Sequence, residues 1–297
     1  MARALAADIM EIARPPLAWA HGRSVRLGGY EMTGRVLGTP YWVEIASPDV
    51  EVSRRFYGEL FGWYAYTLAT GGYGDYMMFT LRDVNGPEVG GMQPLTDDTQ
   101  PPSWSCYFYT DDMGASLDAV QAAGGQALME PATVAHMGRA ALCSDTQGAG
   151  FALYEPADPS LIPVADEPAT MCWVELACRD VQESRRFYGE VFGWTAVDRD
   201  YYGSVYTNWK VGDWAVAGMV SMDERWPADY PAHWIPYFWV PDCDAYAARA
   251  VELGAKSRVP PSDVETGRFS ILTDPTGARF AVLTPAAGAR DRFHPRR

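Results

Sequence analysis

Residues 53–63 read SRRFYGELFGW, and residues 184–194 read SRRFYGEVFGW, differing only at Leu60 against Val191. The two copies sit inside a longer match, YWVEIASPDVEVSRRFYGELFGW against CWVELACRDVQESRRFYGEVFGW, at a constant offset of 131 residues (173 − 42). Further along, WSCYFYTDD matches WIPYFWVPD, and GRAALCSDTQGAGFALYEP matches GRFSILTDPTGARFAVLTP. Internal repetition on this scale signals two similar domains in tandem. The segment EPADPSLIPVADEP between them, rich in proline, marks the boundary.

Each repeat divides again. PYWVEIAS alternates like a strand, Asp49 follows as an N-cap, and Val52, Phe56 and Leu60 recur on one face of a helix that Gly62 ends. In the second copy Asp180 and Glu183 have the spacing of a capping box. Strands are expected near 63–68, 76–82 and 88–94. The pattern then restarts with the strand SCYFYTD, a helix over 114–123 closed by Gly124 and Gly125, and strands near 127–134, 138–144 and 150–155. Strand, helix and three strands thus recur four times along the chain. The expected layout is an arm over 1–37, a first domain over 38–155, a linker over 156–170, a second domain over 171–286 and a tail over 287–297. The repeated phrase becomes the first helix of each domain, with Phe56/Phe187, Tyr57/Tyr188 and Trp63/Trp194 building the same core twice.

The formal net charge of −14 argues against nucleic acid or an anionic membrane as partner, since both need basic surface. No stretch approaches the length of apolar sequence that a membrane helix requires. Residues 2–13 read as a short amphipathic helix stopped by Pro15 and Pro16. Five cysteines, odd in number and without a CxxC pair, suggest reduced thiols and a cytoplasmic protein. A monomer or homodimer is expected. The composition has one excess, 11 Trp and 17 Tyr. It fits a large aromatic core, and it equally fits a cavity lined for flat ligands.

The phrase SPDVEVSRRFYGELFGW and the strand–turn–strand DPTGARFAVL, both duplicated, resemble the vicinal oxygen chelate superfamily of glyoxalases, bleomycin-resistance proteins and extradiol dioxygenases over roughly residues 38–286. The layout and GTPYWVE are most similar to a two-domain branch labelled glyoxalase-like, or hydroxylase in aromatic-polyketide pathways. The resemblance implies an α+β fold in which four βαβββ modules pair into curved mixed sheets, or cups. In metal-dependent members, a His before the helix-capping Asp and a Glu after the last turn face into the cup. Carried over, those places are Trp42 and Trp173, and Ala152 and Ala281, with further positions near Gly91, Ser105, Gly218 and Ile235. None offers a donor suited to a metal, so no metal and no cofactor are expected.

Glu44 and Glu175 lie two residues beyond the tryptophans and, by strand period, on the same face. Facing an aromatic cavity, each is a candidate general acid or base; held by backbone or arginine donors, each is only structural. Trp42, Trp173, Tyr107 and Tyr237 are candidate stacking walls for a small planar aromatic ligand. The insertion DERWPADYPAHW, with no counterpart in the first repeat, is a candidate lid that adds His233 and Trp234. Of the remaining histidines, His21 and His294 fall in the terminal extensions and His136 near a strand end. The favoured function is a metal-independent tailoring enzyme of secondary metabolism, acting on a polycyclic aromatic or quinone-like compound by acid–base chemistry. The alternatives are a non-catalytic binding protein that sequesters such a compound, and a metal-dependent glyoxalase or dioxygenase with displaced ligands such as His233.

Overall fold

The alternating run Pro40–Ser47 forms a strand whose Val43 and Ile45 are fully buried on one side. The computed structural model describes residues 25–27, 30–32 and 36–286, apart from 70–74, 96, 98–99, 135–136, 160–162, 164–166, 202–203 and 225. The expected helix over 2–13, the tail over 287–297, and His21, His136 and His294 lie outside the described residues.

A two-stranded pair, β1 (Val25–Leu27) and β2 (Tyr30–Met32), precedes the first domain. That domain runs β3 (Pro40–Ser47), α1 (Val50–Phe61), β4 (Tyr64–Ala69), β5 (Asp75–Thr80) and β6 (Glu88–Pro94). It continues with β7 (Ser103–Tyr109), α2 (Met113–Ala122), β8 (Gln126–Ala127), β9 (Ala132–Val134), β10 (Gly138–Ser144) and β11 (Gly150–Pro156). The second runs β12 (Met171–Cys178), α3 (Val181–Phe192), β13 (Thr195–Tyr201), β14 (Ser204–Val211) and β15 (Trp214–Ser221). It ends with β16 (His233–Trp239), α4 (Cys243–Glu252), β17 (Lys256–Val264), β18 (Gly267–Thr273) and β19 (Arg279–Pro285).

The sheet orders are β4-β5-β6-β3-β7-β11-β10-β8 and β13-β14-β15-β12-β16-β19-β18-β17, the same path twice. The two modules of each domain join along β3–β7 and β12–β16, so each mixed sheet curls into one cup. One expected strand is broken: 127–134 becomes β8 and β9 with Pro131 between them, whereas β17 stays continuous past Pro260 and Pro261 by means of bulges. Proline has no N–H to give a ladder, and both segments are edge strands, where that loss is tolerated.

The helix ends follow local rules. Asp49 accepts from the Val52 N–H at 3.0 Å and Asp180 from the Glu183 N–H at 2.9 Å. Gly62 and Gly193 close α1 and α3 at φ 70° and 68°, a conformation that an L side chain resists. The expected capping box is half made, because the Glu183 carboxylate turns instead to Arg186 at 2.6 Å.

The repeated phrase builds a core that crosses between domains. Tyr57 on α1 donates its hydroxyl to Asp274 at 2.8 Å and accepts from Trp104 Nε1 at 2.9 Å. Phe56 meets Phe280, and Phe61 and Trp63 both meet Phe238, with ring centroids 5.2–5.9 Å apart. The mirror set is the same: Tyr188 donates to Asp145 at 3.1 Å and accepts from Trp234 Nε1 at 3.0 Å, while Phe187 and Phe192 pack on Phe151 and Phe108. Asp145 and Asp274 stand in the turns DTQGAG and DPTGAR, where one carboxylate oxygen also accepts backbone N–H groups of its own turn. The duplicated helix of one domain therefore locks onto the duplicated turn of the other. The five cysteines are unpaired. Among the described residues no helix is long and apolar enough to cross a membrane.

Candidate functional site in the two cups

With Val43 and Ile45 given to the shared core, strand alternation turns Trp42 and Glu44 to the opposite, concave face. Cross-strand register sets two rows there: Gly91–Glu44–Ser105, and Trp42–Tyr107–Ala152. The second cup repeats them as Gly218–Glu175–Ile235 and Trp173–Tyr237–Ala281. The ligand places that the family resemblance implies fall within these rows, at Trp42, Ala152, Gly91 and Ser105 in the first cup and at Trp173, Ala281, Gly218 and Ile235 in the second.

Each carboxylate is buried, with only 6% exposure, and held by phenols. Tyr76 and Tyr107 donate to Glu44, and Tyr206 and Tyr237 donate to Glu175. A tryptophan donates in turn to the first phenol of each pair, Trp42 to Tyr76, and Trp173 Nε1 to the Tyr206 hydroxyl at 3.0 Å. Glycine makes room for this: a Cβ on Gly91 or Gly218 would fall 1.8 Å from the Tyr76 or Tyr206 oxygen. Each cup thus holds the same unit, one Trp, one Glu and two Tyr.

Burial pushes both carboxyls up, against the phenol hydrogen bonds that favour the charged form. Glu175 is pushed up to about 7, into the range where a carboxyl can both give and take a proton near neutral pH. Glu44 has a further donor, the Gln93 amide at 2.7 Å, where the second cup has Val220 in register.

The lid candidates separate. His233 pairs in register with Ala177, one step beyond Glu175 on the concave face, at the mouth of the second cup. Its Nδ1 lies 2.9 Å from the Pro231 carbonyl oxygen, and its ring packs against Tyr230 and Trp226. Burial and the nearby Arg279 push its pKa down to about 4, so it stands neutral. Trp234 does not belong to the cup. It is buried in the shared core against Phe108 and Trp194, and its true counterpart is Trp104. Neighbouring strand residues face opposite ways, so a residue next to Ile235 and Tyr237 had to point away from them.

Sequence reasoning missed Tyr76, Tyr206, Gln93 and Arg279. The two tyrosines are 130 residues apart (206 − 76), one off the repeat offset, so the alignment did not pair them. The available signal was the glycine opposite each glutamate.

The metal places hold Trp42, Ala152, Trp173 and Ala281, whose side chains supply an N–H donor or nothing. Among the described residues no three His, Cys, Asp or Glu converge in a way that could hold an ion. The donor set does not fit the family metal.

A family model described as the glyoxalase/bleomycin resistance protein/dioxygenase superfamily matches residues 40–153, and a glyoxalase-like domain model matches residues 173–283. The chain is 34% identical over 258 residues to the anthracycline biosynthesis protein DnrV of Streptomyces peucetius, covering 83% of this chain and 93% of that one. It is 35% identical over 244 residues to the putative glyoxylase CFP32 of Mycobacterium bovis, covering 81% and 92%. Among solved structures it resembles 2,2',3-trihydroxybiphenyl 1,2-dioxygenase from Sphingomonas wittichii, with a TM-score of 0.60 at 11% identity over 87% of this chain and 94% of that one. It also resembles a Mn(II)-bound glyoxalase from Novosphingobium aromaticivorans, with a TM-score of 0.57 at 16% identity over 84% and 82%. At such identities the structural likeness shows the fold alone.

Proposed function

The chain belongs to the glyoxalase/bleomycin resistance/dioxygenase superfamily and is related to anthracycline biosynthesis proteins, and on that premise we propose that it is a metal-independent tailoring enzyme of secondary metabolism. The substrate would be a polycyclic aromatic or quinone-like compound lying in the second cup against Trp173, with Glu175 moving a proton. The observation that carries this is the Glu175 carboxyl, buried between two phenols and pushed up to about 7, where a group can both take and give a proton at neutral pH. The name of the relative from Streptomyces peucetius supports the polycyclic substrate class. Ionised Glu175 would accept a proton from a phenol or from a saturated carbon next to a ring carbonyl. Tyr206 and Tyr237 would keep the carboxylate aimed, and the buried cup would exclude water.

A second reading is a protein that binds such a compound without turnover. It draws on the same geometry, because two phenols already satisfy Glu175 as an acceptor. The deciding experiment is titration of tryptophan fluorescence with a panel of hydroxyanthraquinones, followed by product analysis on each ligand that binds. Binding with chemical change lost in Glu175→Gln supports the enzyme; binding without change supports the second reading. Elemental analysis finding about one tightly held metal per chain, lost on replacing Glu44 or Glu175, would overturn both.

A further inference from the structure

Among the described residues, the mouth of the second cup holds positive charge without a carboxylate partner, in a chain with 38 acidic and 24 basic residues. Arg279 begins β19 two residues before Ala281, on the concave side of the strand. It is half-buried, and its guanidinium packs on the faces of rings: the guanidinium carbon lies 4.3 Å from the Tyr230 centroid and 4.9 Å from that of Trp226. Its cross-strand partner Thr273 accepts a hydrogen bond from Arg258 Nε at 2.8 Å, so a second guanidinium stands beside the first. Among the described residues neither arginine makes an ion pair with a carboxylate, although other arginines of the fold do, such as Arg268 with Asp244. Two like charges side by side, one of them half out of water, cost stability unless an anion joins them.

The neighbouring His233 adds direction. Its Nδ1 faces the Pro231 carbonyl, so that nitrogen carries the proton, and the buried Nε2 keeps a lone pair that meets no partner among the described residues. The first cup lacks the whole arrangement. Gly150 stands in register for Arg279 and Ser103 for His233, and nothing there corresponds to the segment carrying Trp226 and Tyr230.

We propose that the mouth of the second cup is an oxyanion-binding subsite, in which Arg279, backed by Arg258, holds a carboxylate or phenolate at the edge of a planar ligand while His233 Nε2 accepts a neighbouring O–H. The inference rests on the reading of the second cup as a ligand site and adds the charge of the ligand to it. A guanidinium offers two parallel N–H groups to an oxyanion, and the ring faces of Trp226 and Tyr230 keep it flat and aimed.

The test compares anthraquinone-2-carboxylate, its neutral carboxamide and 1-hydroxyanthraquinone as probes, by calorimetry on the full chain. The parent should prefer the carboxylate over the carboxamide by at least about tenfold, the size expected for a hydrogen-bonded charge. Arg279→Gln should erase that preference while carboxamide affinity stays within about twofold, and Arg279→Lys should restore part of it. If 1-hydroxyanthraquinone gains affinity above the pKa of its phenol in the parent but not in Arg279→Gln, the phenolate is also a ligand of the subsite. Equal affinity for carboxylate and carboxamide in the parent would overturn the inference and leave the reading of the cup intact. So would a lower melting temperature in Arg279→Gln with the preference unchanged, which would mean that Arg279 only pins Trp226 and Tyr230. Binding of none of the probes would take down the reading of the cup, and this inference with it.

Discussion

The two cups share a unit and differ in what surrounds it. Around Glu44 the first cup places Tyr41, Tyr66, Glu88 and Tyr154, with Tyr66 donating to Glu88 at 2.6 Å and Tyr41 stacked on Tyr154 at 4.9 Å. At the same register positions the second cup has Cys172, Val197, Ala215 and Leu283. Its lining forms an apolar cluster of Trp173, Ile235, Tyr237, Ile271, Ala281 and Leu283, separate from the shared core. The first cup is thus packed with its own phenols and a second carboxylate, whereas the second substitutes smaller, apolar side chains. In both cups the Trp–Glu–Tyr–Tyr unit gives a buried carboxylate two phenol donors. The surroundings differ, and the second cup sets that unit beside an apolar lining.

The largest expected effect separates the two glutamates by turnover. Glu175→Gln should cost at least about a hundredfold in the rate of any substrate converted, the scale of general acid–base catalysis. Glu44→Gln should leave the rate within about twofold, because its cup is lined by further phenols and the Glu88 carboxylate rather than by apolar side chains. Single-turnover measurements on both variants check this. Equal losses would make the cups equivalent and break the comparison.

The next effect is on stability against pH. The folded Glu175 carboxyl titrates at about 7 against an ordinary value of 4.5, so the folded state holds the proton more tightly than the unfolded chain does. Its contribution is fully present below about pH 4.5 and is lost as pH rises through about 7, a change of about 3 kcal/mol at roughly 1.4 kcal/mol per pKa unit. Glu175→Gln should therefore lack that part of the decline in stability, as read from urea unfolding at pH 5 and pH 8. A variant that declines as steeply as the parent would show that the carboxyl is not strained by its burial.

A third effect tests the other half of the contrast, the core that the two domains share. Tyr57→Phe removes the donor to Asp274 and the acceptor for Trp104, and Tyr188→Phe does the same to Asp145 and Trp234. Stranding a buried polar group costs about 1–3 kcal/mol, and the two variants should match within about 1 kcal/mol. Chemical denaturation of both measures it. A large mismatch would mean that the two copies of the interface carry unequal loads.

Most of this core was legible in sequence, because it obeys local rules that repeat. The expected strands at 88–94 and 138–144 coincide with β6 and β10, and the helix over 114–123 differs from α2 by one residue at each end. Alternation also sufficed to bring Trp42, Glu44 and Tyr107, and Trp173, Glu175 and Tyr237, to one face of each sheet. Long-range partners were not legible. Nothing local says that Tyr57 reaches Asp274, or that Tyr206, a residue out of step with its copy, reaches Glu175. Trp234 was misplaced by weighing its aromatic character above its strand phase.

The smallest expected effect concerns the tryptophans. Trp173 Nε1 is tied to Tyr206, which fixes the indole beside the apolar lining of the second cup. Trp42 is tied to Tyr76 in the same way, but it pairs in register with Tyr107, whose ring meets Tyr154, so phenols rather than apolar side chains surround it. A stacked aromatic pair contributes about 0.5–1.5 kcal/mol beyond burial, so Trp173→Ala should weaken a planar ligand by roughly 2- to 12-fold. Trp173→Phe keeps a ring but drops the N–H, and should recover most of that loss if stacking rather than the Tyr206 hydrogen bond matters. Trp42→Ala should leave affinity within about twofold, for the reason that Glu44→Gln leaves turnover alone. Intrinsic fluorescence is unsuited to the variants that remove the reporter, so calorimetric titration is the measurement. Equal weakening by Trp42→Ala would place the ligand in both cups and dissolve the contrast between them; no weakening by either would return the aromatic excess of this chain to core packing.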